Sequence, residues 1–180
     1  KGTAIMRSGA QVGDIVGITN YVGYAATGLG ALSYNLDGYH MTKVGHQRPD
    51  PQIELGQQLR QLGIHSMNDI SDGLGSELNE IASASNVSIV IEEKVIPLHE
   101  ETYELAKYLQ TNPVDYALYG GEDFQLVFTA PKSLLSKLEN LAGITIIGEV
   151  VSGPAQVQMV TPDKTIKPIA AKGYNHFHES

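Results

Sequence analysis

The sequence predicts a layered α/β domain of the α+β kind, in which helices cover a mixed β-sheet. Segments with helical spacing of apolar residues alternate with short β-branched runs, and strands in such an arrangement lie beneath the helices. At residues 156–160 and 165–169, two strand-like runs flank a Thr-Pro-Asp-Lys turn and predict a terminal hairpin. A hairpin pairs antiparallel strands, so the sheet is not purely parallel.

Length and composition are those of one ordinary globular domain. The chain has 180 residues, of which 42% are hydrophobic, and this is enough to bury a core. The absence of cysteine excludes disulfides and thiolate metal sites and is compatible with a cytoplasmic protein, which we expect. A net charge of −8 argues against a nucleic-acid partner. No apolar run reaches the roughly 18 residues of a membrane-spanning helix, so we expect no membrane partner.

Local composition predicts the first strand and the first helix. Residues 15–19 form a short apolar run after a turn signal and predict a buried strand. Residues 23–36 are rich in alanine, glycine and leucine and predict a tightly packed helix. Gly28 and Gly30 begin like a dinucleotide-binding fingerprint, but the pattern lacks its next glycine at Ser33. We therefore interpret both glycines as sites of close packing.

The next segment combines a predicted loop with a predicted helix. Residues 39–51 predict a loop, because Pro49 and Pro51 favour an extended conformation. Residues 53–62 carry apolar side chains at helical spacing and predict a helix. Gly63 follows them as the C-terminal cap.

The rest of the chain continues the alternation of helices and strands. The predicted helices cover residues 74–84, 97–109 and 131–141, and the predicted strands cover residues 87–91, 124–129 and 144–151. In the second of these helices, proline stands in the first turn, where its missing N–H group costs nothing. Acidic residues nearby favour the same helix end electrostatically.

The stretch from Asp69 to Leu74 reads Asp-Ile-Ser-Asp-Gly-Leu and lies at a predicted strand-to-helix turn. One interpretation is a capped helix, with Ser71 or Asp72 as the N-cap residue. Such a cap needs no second acid, and Asp69 and Asp72 repel unless a cation or a proton lies between them. Two carboxylates suit Mg²⁺, with substrate phosphates completing its coordination. A calcium-binding loop is excluded, because its sixth position requires glycine and here carries Leu74.

The same stretch resembles the signature of the thiamine-monophosphate kinase family, which is related to aminoimidazole ribonucleotide synthetase and selenophosphate synthetase. Three further segments match that family in the same order, at residues 7–10, 120–124 and 173–177. The resemblance covers nearly the whole chain. It implies that residues 1–180 are the single C-terminal α/β domain of a two-domain kinase, with a fold like that of the aminoimidazole ribonucleotide synthetase C-terminal domain. The N-terminal ATP-binding domain is absent from this chain, so we expect the chain alone to be inactive.

The resemblance also implies a reaction and a set of residues for its nucleotide side. The enzyme transfers the γ-phosphoryl group of ATP to thiamine monophosphate, giving thiamine diphosphate, and uses Mg²⁺. Asp69 and Asp72 hold the metal, and Asp72 is the catalytic residue. Ser71 and Arg7 contact ATP, because a guanidinium group suits phosphate oxygens.

For the acceptor side, the resemblance implies that Glu122 binds thiamine monophosphate, whose thiazolium ring is cationic. An aromatic side chain of the terminal motif stacks on the substrate ring, and we favour Phe177 over Tyr174. We expect the full-length enzyme to be a homodimer. Two alternatives stay open, a related enzyme acting on another small phosphate acceptor and a non-catalytic domain for binding or assembly. Departures from the family pattern at positions 24, 52 and 68 keep the first of these alternatives open.

Overall fold

A seven-stranded mixed sheet organises the computed structural model, which describes residues 4–171. The strands are β1 (Asp14–Thr19), β2 (Ser66–Ile70), β3 (Ser88–Glu92), β4 (Gln125–Pro131), β5 (Ile144–Val151), β6 (Gln156–Val160) and β7 (Ile166–Ile169). Their spatial order is β2-β4-β1-β5-β3-β6-β7, in which β3 and β6 pair in parallel and the other neighbours are antiparallel. The predicted mixed sheet and its terminal hairpin, β6–β7, are confirmed.

Helices cover both faces of this sheet. They are α1 (Tyr24–Ser33), α2 (His40–Gln47), α3 (Ile53–Leu62), α4 (Leu74–Ser85), α5 (Glu100–Leu109), α6 (Pro113–Tyr119) and α7 (Leu135–Glu139), with 3₁₀ turns at Glu93–Val95 and Lys132–Leu134. Within residues 4–171, no helix is long and apolar enough to cross a membrane.

The central strand β1 separates two hydrophobic clusters. All six of its residues are buried, and they alternate between the two faces of the sheet. Val16 and Ile18 belong to the larger cluster, which includes side chains of α4 and α6. Ile15 belongs to the smaller cluster, together with Leu59 of α3 and Phe128 of β4. Burial on both faces explains why β1 appears in the sequence as an apolar run.

Helix α2 corrects the predicted loop at residues 39–51. Its start is held by Glu101 of α5, whose carboxylate accepts hydrogen bonds from the backbone N–H groups of Met41 and Thr42 and from the Thr42 hydroxyl. Burial would raise the pKa of Glu101, but these hydrogen bonds outweigh it and the pKa is lowered. The acid that supplies the cap lies 59 residues away from Thr42, so the local sequence gave no sign of it.

The two glycines of α1 have the packing role that was predicted. A Cβ atom at Gly28 would lie 2.1 Å from the carbonyl oxygen of Thr42, so α1 and α2 approach each other backbone to backbone. A Cβ atom at Gly30 would lie 2.9 Å from a methyl group of Leu105 in α5. A larger residue at Gly28 would push α1 and α2 apart, whereas one at Gly30 would require the Leu105 side chain to move.

Three other element boundaries differ from the prediction. Helix α5 begins at Glu100 with His99 as its N-cap, so Pro97 precedes the helix. The predicted helix at 131–141 is a 3₁₀ turn followed by the short α7. Helix α6 was not predicted at all, although Asn112 caps it through the N–H group of Val114. Short helices bury too few residues for apolar periodicity to reveal them.

Candidate functional site

The acidic turn, residues 69–72, joins the end of the edge strand β2 to the start of α4. The side chains of Asp69 and Asp72 are exposed. The N-cap residue of α4 is Gly73, and no side chain caps the helix, so the expectation of a cap from Ser71 or Asp72 is wrong. Gly73 has a φ of 94° and no room for a side chain, since a Cβ atom would lie 2.8 Å from the carbonyl oxygen of Leu118.

A buried acid that the sequence reasoning missed lies beneath the acidic turn. Glu77 of α4 is only 4% exposed and accepts a hydrogen bond from the side-chain amide of Asn68. Its other oxygen lies 3.4 Å from the hydroxyl of Ser71 and 3.3 Å from the backbone nitrogen of Asp72. One signal was available: Glu77 occupies the apolar face of α4, on which Leu74, Leu78 and Ile81 are fully buried.

The electrostatics of the acidic turn are those of crowded carboxylates. Burial raises the pKa of Glu77, and the negative charges of Asp72 and Asp69 raise it further. The N–H group of Asp72 and the charge of Arg7 act in the opposite direction. The three carboxylates therefore repel one another, and a cation placed among them would be stabilised.

Arg7 lies beside the acidic turn because the N-terminal segment runs along β2. The backbone N–H group of Met67 donates to the carbonyl oxygen of Met6 at 3.0 Å. Arg7 itself forms an ion pair with Glu80 on α4, with 2.9 Å between Nη1 and Oε2, and both side chains are about half exposed. This exposed pair contributes little stability and leaves the guanidinium group accessible.

The glycine loop, residues 120–124, packs directly against the acidic turn. The N–H group of Glu122 donates to the carbonyl oxygen of Ser71 at 2.8 Å, and that of Phe124 donates to Ile70 at 2.9 Å. Glu122 and Phe124 have positive φ values of 66° and 50°, which non-glycine residues rarely adopt. Such backbone strain is often concentrated at functional sites. The Glu122 side chain is exposed.

A second buried acid, Asp123, ties the glycine loop to α1. Its two carboxylate oxygens accept hydrogen bonds from the N–H groups of Gly23 at 2.6 Å and Ala25 at 2.9 Å. Asp123 is therefore the N-terminal cap of a helix that is distant in sequence. Burial raises the pKa of Asp123 to about 6, although the backbone N–H groups act to lower it.

Cavities border both loops. One of 220 Å³ lies beside the glycine loop and is lined by Ala25, Ala26, Leu29, His46, Gly120, Gly121 and Glu122. Another, of 180 Å³, lies on the other side of α1 and includes Arg48, Asp123 and Gln125 in its lining. A larger apolar cavity of 550 Å³ has Asp69 and Phe124 at its rim and α3 along its wall. Small ligands therefore have concave surfaces beside the exposed acids of both loops.

The carboxylates of the acidic turn could hold Mg²⁺ jointly with a bound phosphate, but they do not form a complete metal site. Within residues 4–171, no three histidine, aspartate or glutamate side chains converge to hold a metal ion by themselves. The acidic turn offers two exposed carboxylates, and Mg²⁺ is commonly bound by one or two carboxylates together with substrate phosphates. These residues fit a metal that arrives with a phosphorylated ligand.

The structure therefore brings together five of the seven residues singled out from the sequence. Asp69, Ser71, Asp72, Arg7 and Glu122 lie on, or immediately beside, the two adjoining loops. The other two, Tyr174 and Phe177, lie outside the described residues. Near the end of the described residues, β7 contacts the middle of α4, where the carbonyl oxygen of Ile169 accepts a hydrogen bond from the side-chain amide of Asn79 at 3.0 Å.

Comparison with known proteins identifies related sequences. Residues 11–160 match the family described as "AIR synthase related protein, C-terminal domain". Thiamine-monophosphate kinase of Bacillus subtilis (strain 168) is 36% identical over 188 aligned positions, which cover 98% of this chain and 57% of that protein. The corresponding protein of Pyrococcus horikoshii is 40% identical over 83% of this chain and 46% of its own length. The chain thus spans about half the length of the curated relatives that it matches.

Solved structures resemble the fold closely. A crystal structure of thiamine-monophosphate kinase from Stenotrophomonas maltophilia K279a superposes with a TM-score of 0.81 at 30% identity, covering 88% of this chain and 53% of that one. The structure "AaThiL complexed with AMPPCP and TMP" gives a TM-score of 0.79 at 32% identity, over 96% of this chain and 54% of that one. E. coli HypE, a hydrogenase maturation protein, gives 0.78 at 19% identity, over 97% and 55%. At that identity the likeness concerns the fold alone.

Proposed function

The chain belongs to the AIR synthase related proteins, whose C-terminal domain it matches, and from this premise we propose that it is the C-terminal part of a thiamine-monophosphate kinase. The reaction moves the γ-phosphoryl group of ATP to thiamine monophosphate and yields thiamine diphosphate. Phosphoryl transfer of this kind is catalysed by positioning and charge neutralisation, so no protein nucleophile is needed. The full-length enzyme also has an N-terminal ATP-binding domain, acts as a homodimer and works in the cytoplasm.

The observation that carries this proposal is the pair of backbone hydrogen bonds between the acidic turn and the glycine loop. They link Ser71 to Glu122 and Ile70 to Phe124, at 2.8 and 2.9 Å. A nucleotide group and an acceptor group held by these two loops are neighbours, and transfer between them requires such proximity. Both hydrogen bonds continue the antiparallel β2–β4 pairing beyond the Ile70–Gln125 pair, so the sheet itself holds the two loops side by side.

On the nucleotide side, Asp69 and Asp72 would hold Mg²⁺ together with the ATP phosphates, and Asp72 is the catalytic residue. A metal held there would supply positive charge to balance the phosphoryl oxygens. Ser71 and Arg7 contact ATP. The location of Arg7 beside α4 supports this role, because its exposed pair with Glu80 is easily exchanged for phosphate.

On the acceptor side, Glu122 binds the cationic thiazolium ring of thiamine monophosphate. Its exposed carboxylate borders the 220 Å³ cavity, whose other lining residues are mostly small or apolar and suit a flat ring. An aromatic side chain of the terminal motif, Phe177 in preference to Tyr174, stacks on the substrate.

The test is an acceptor comparison with the full-length protein. It is incubated with ATP and Mg²⁺ and, in separate reactions, with thiamine monophosphate, thiamine or another small phosphate ester, and the products are separated chromatographically. We expect thiamine diphosphate from thiamine monophosphate and no comparable transfer to the others. Transfer to a different phosphate acceptor instead would identify a related enzyme of the superfamily and overturn the proposed substrate.

A further inference from the structure

Glu77 is the least exposed ionisable group that touches the acidic turn, and no role follows for it from the proposed reaction. It belongs to α4, one turn after the helix begins, and its two oxygens reach back to the turn from below. One oxygen is engaged by the amide of Asn68, at the β2 side of the turn. The other lies near the Ser71 hydroxyl and the Asp72 nitrogen.

All three partners of Glu77 are hydrogen-bond donors. An ionised carboxylate only accepts, so a glutamate satisfies an amide, a hydroxyl and a backbone N–H group at the same time. A glutamine of the same size would direct its own NH₂ group at one of these donors, and it would fit only after the Asn68 amide had turned its oxygen toward that group. With the Asn68 amide as it stands, an acid matches all three donors, despite the cost of burying it.

Simple helix capping does not account for this arrangement. A reach-back cap engages one backbone N–H group at the helix start. Here two side chains are engaged as well, one on each side of Asp69 and Ile70, and neither belongs to α4. The contacts of Glu77 therefore span the whole turn and fix its ends relative to each other.

We propose that Glu77 is a positioning residue that holds the acidic turn in the shape needed to bind a divalent cation through Asp69 and Asp72. The inference rests on the proposed function, because it takes from it the metal role of these two aspartates. Glu77 acts through the turn, from beneath it. Outer partners that orient metal ligands commonly change metal affinity by about 10–100-fold when they are replaced.

The experiment measures binding of Mn²⁺ alone to the full-length protein, by the electron paramagnetic resonance signal of the unbound ion. Mn²⁺ prefers the same oxygen ligands as Mg²⁺. The variants are Glu77→Gln, which loses the acceptor pattern, and Glu77→Asp, which keeps it. The matched control is Glu54→Gln, an exposed acid in the first turn of α3. Thermal unfolding is recorded for every variant.

We expect Glu77→Gln to weaken Mn²⁺ binding about tenfold or more, Glu77→Asp to retain most of the affinity, and Glu54→Gln to match the unchanged protein. Equal affinity in Glu77→Gln and the unchanged protein overturns the inference and leaves the proposed function standing. So does equal weakening by Glu77→Gln and Glu54→Gln, which reports only net charge. If the unchanged protein binds no Mn²⁺, the metal role of the aspartates fails and the inference fails with it.

Asn68→Ala provides a second route if Glu77→Gln does not fold. It removes the amide donor on the β2 side and leaves Glu77 in place. We expect Mn²⁺ affinity to fall severalfold, because one end of the turn loses its anchor. Unchanged Mn²⁺ affinity in a folded Asn68→Ala protein overturns the inference.

Discussion

The acidic turn and the glycine loop both present exposed acids and both have a buried acid in or against them, but the two buried acids have different partners. Asp123, in the glycine loop, accepts hydrogen bonds only from backbone N–H groups at the start of α1. Glu77, beneath the acidic turn, accepts from two side chains and one backbone N–H group of the turn and its flank. Asp123 therefore supports the start of a helix, whereas Glu77 supports the acidic turn. The exposed acids, Asp72 and Glu122, remain accessible to ligands.

The largest effect predicted from this comparison concerns the exposed acid of the acidic turn. In the full-length enzyme, Asp72→Asn removes a charge that attracts Mg²⁺, and we expect kcat to fall by about a hundredfold or more. The free energy of unfolding should change by only a few tenths of a kcal/mol, because α4 is capped by no side chain. Turnover at limiting Mg²⁺ and thermal unfolding measure the two quantities. Asp115→Asn, an exposed acid of α6, is the control, and wild-type turnover in Asp72→Asn would leave this acid without a metal role.

Asp123, the buried acid of the glycine loop, should affect the stability of the fold more than turnover. Asp123→Ala leaves the N–H groups of Gly23 and Ala25 unsatisfied, and we expect a loss of about 1–3 kcal/mol in the free energy of unfolding. Denaturant titration of the variant checks this, with Asp115→Ala as the control for removing an acid at a helix start. A loss no larger than that of the control would show that Asp123 does not cap α1 in solution.

Glu122, the exposed acid of the glycine loop, distinguishes the acceptor side of the site from the nucleotide side. Glu122→Gln keeps the size of the side chain but removes its charge, so the apparent affinity for thiamine monophosphate should fall about tenfold and that for ATP should change little. Two steady-state titrations, one for each substrate, give the answer, with Glu54→Gln as the control. Equal weakening for both substrates would move Glu122 to the nucleotide side.

The last effect is a dependence of stability on pH, which a comparison with Asp123→Asn assigns to Asp123. Its pKa is raised from 3.8 to about 6 in the folded protein, so the folded state binds a proton more readily than the unfolded state between these values. Lowering the pH from 7 to about 4 should therefore stabilise the protein relative to Asp123→Asn, by at most about 1.4 kcal/mol per pH unit. Unfolding titrations of both proteins across this range test the sign. A relative stability that falls with decreasing pH would contradict it.

Features that depend on neighbours in sequence were predictable, and features that depend on distant partners were not. Apolar runs and the Thr161-to-Lys164 turn indicated the strands and the terminal hairpin, because both signals are local. Helix α2 escaped prediction because its cap comes from Glu101 in α5. The contact between Ser71 and Glu122 likewise could not be predicted from the spacing of residues, although the family resemblance linked their motifs.

At the acidic turn itself, the sequence identified the residues but not their arrangement. The polar side chains before α4 looked like caps, yet Gly73 begins the helix with a backbone that fits between Leu118 and Gly120. Local helix propensity does not predict this tight packing, because the contacts come from α6 and the residue that follows it. The role of Glu77 was hidden for a similar reason, because its donors lie in three positions that the sequence spacing does not single out.

The order of strands in the sheet also governs how the domain assembles during synthesis. Of the seven strands of the sheet, the central strand β1 is made first, but its hydrogen-bonding partners β4 and β5 begin more than 100 residues later, at Gln125 and Ile144. Until β5 has left the ribosome, one edge of β1 has no strand to pair with. Contacts of such long sequence separation slow folding and leave apolar strands exposed in the meantime. The central strand of the sheet is therefore fully paired only after β4 and β5 have been synthesised.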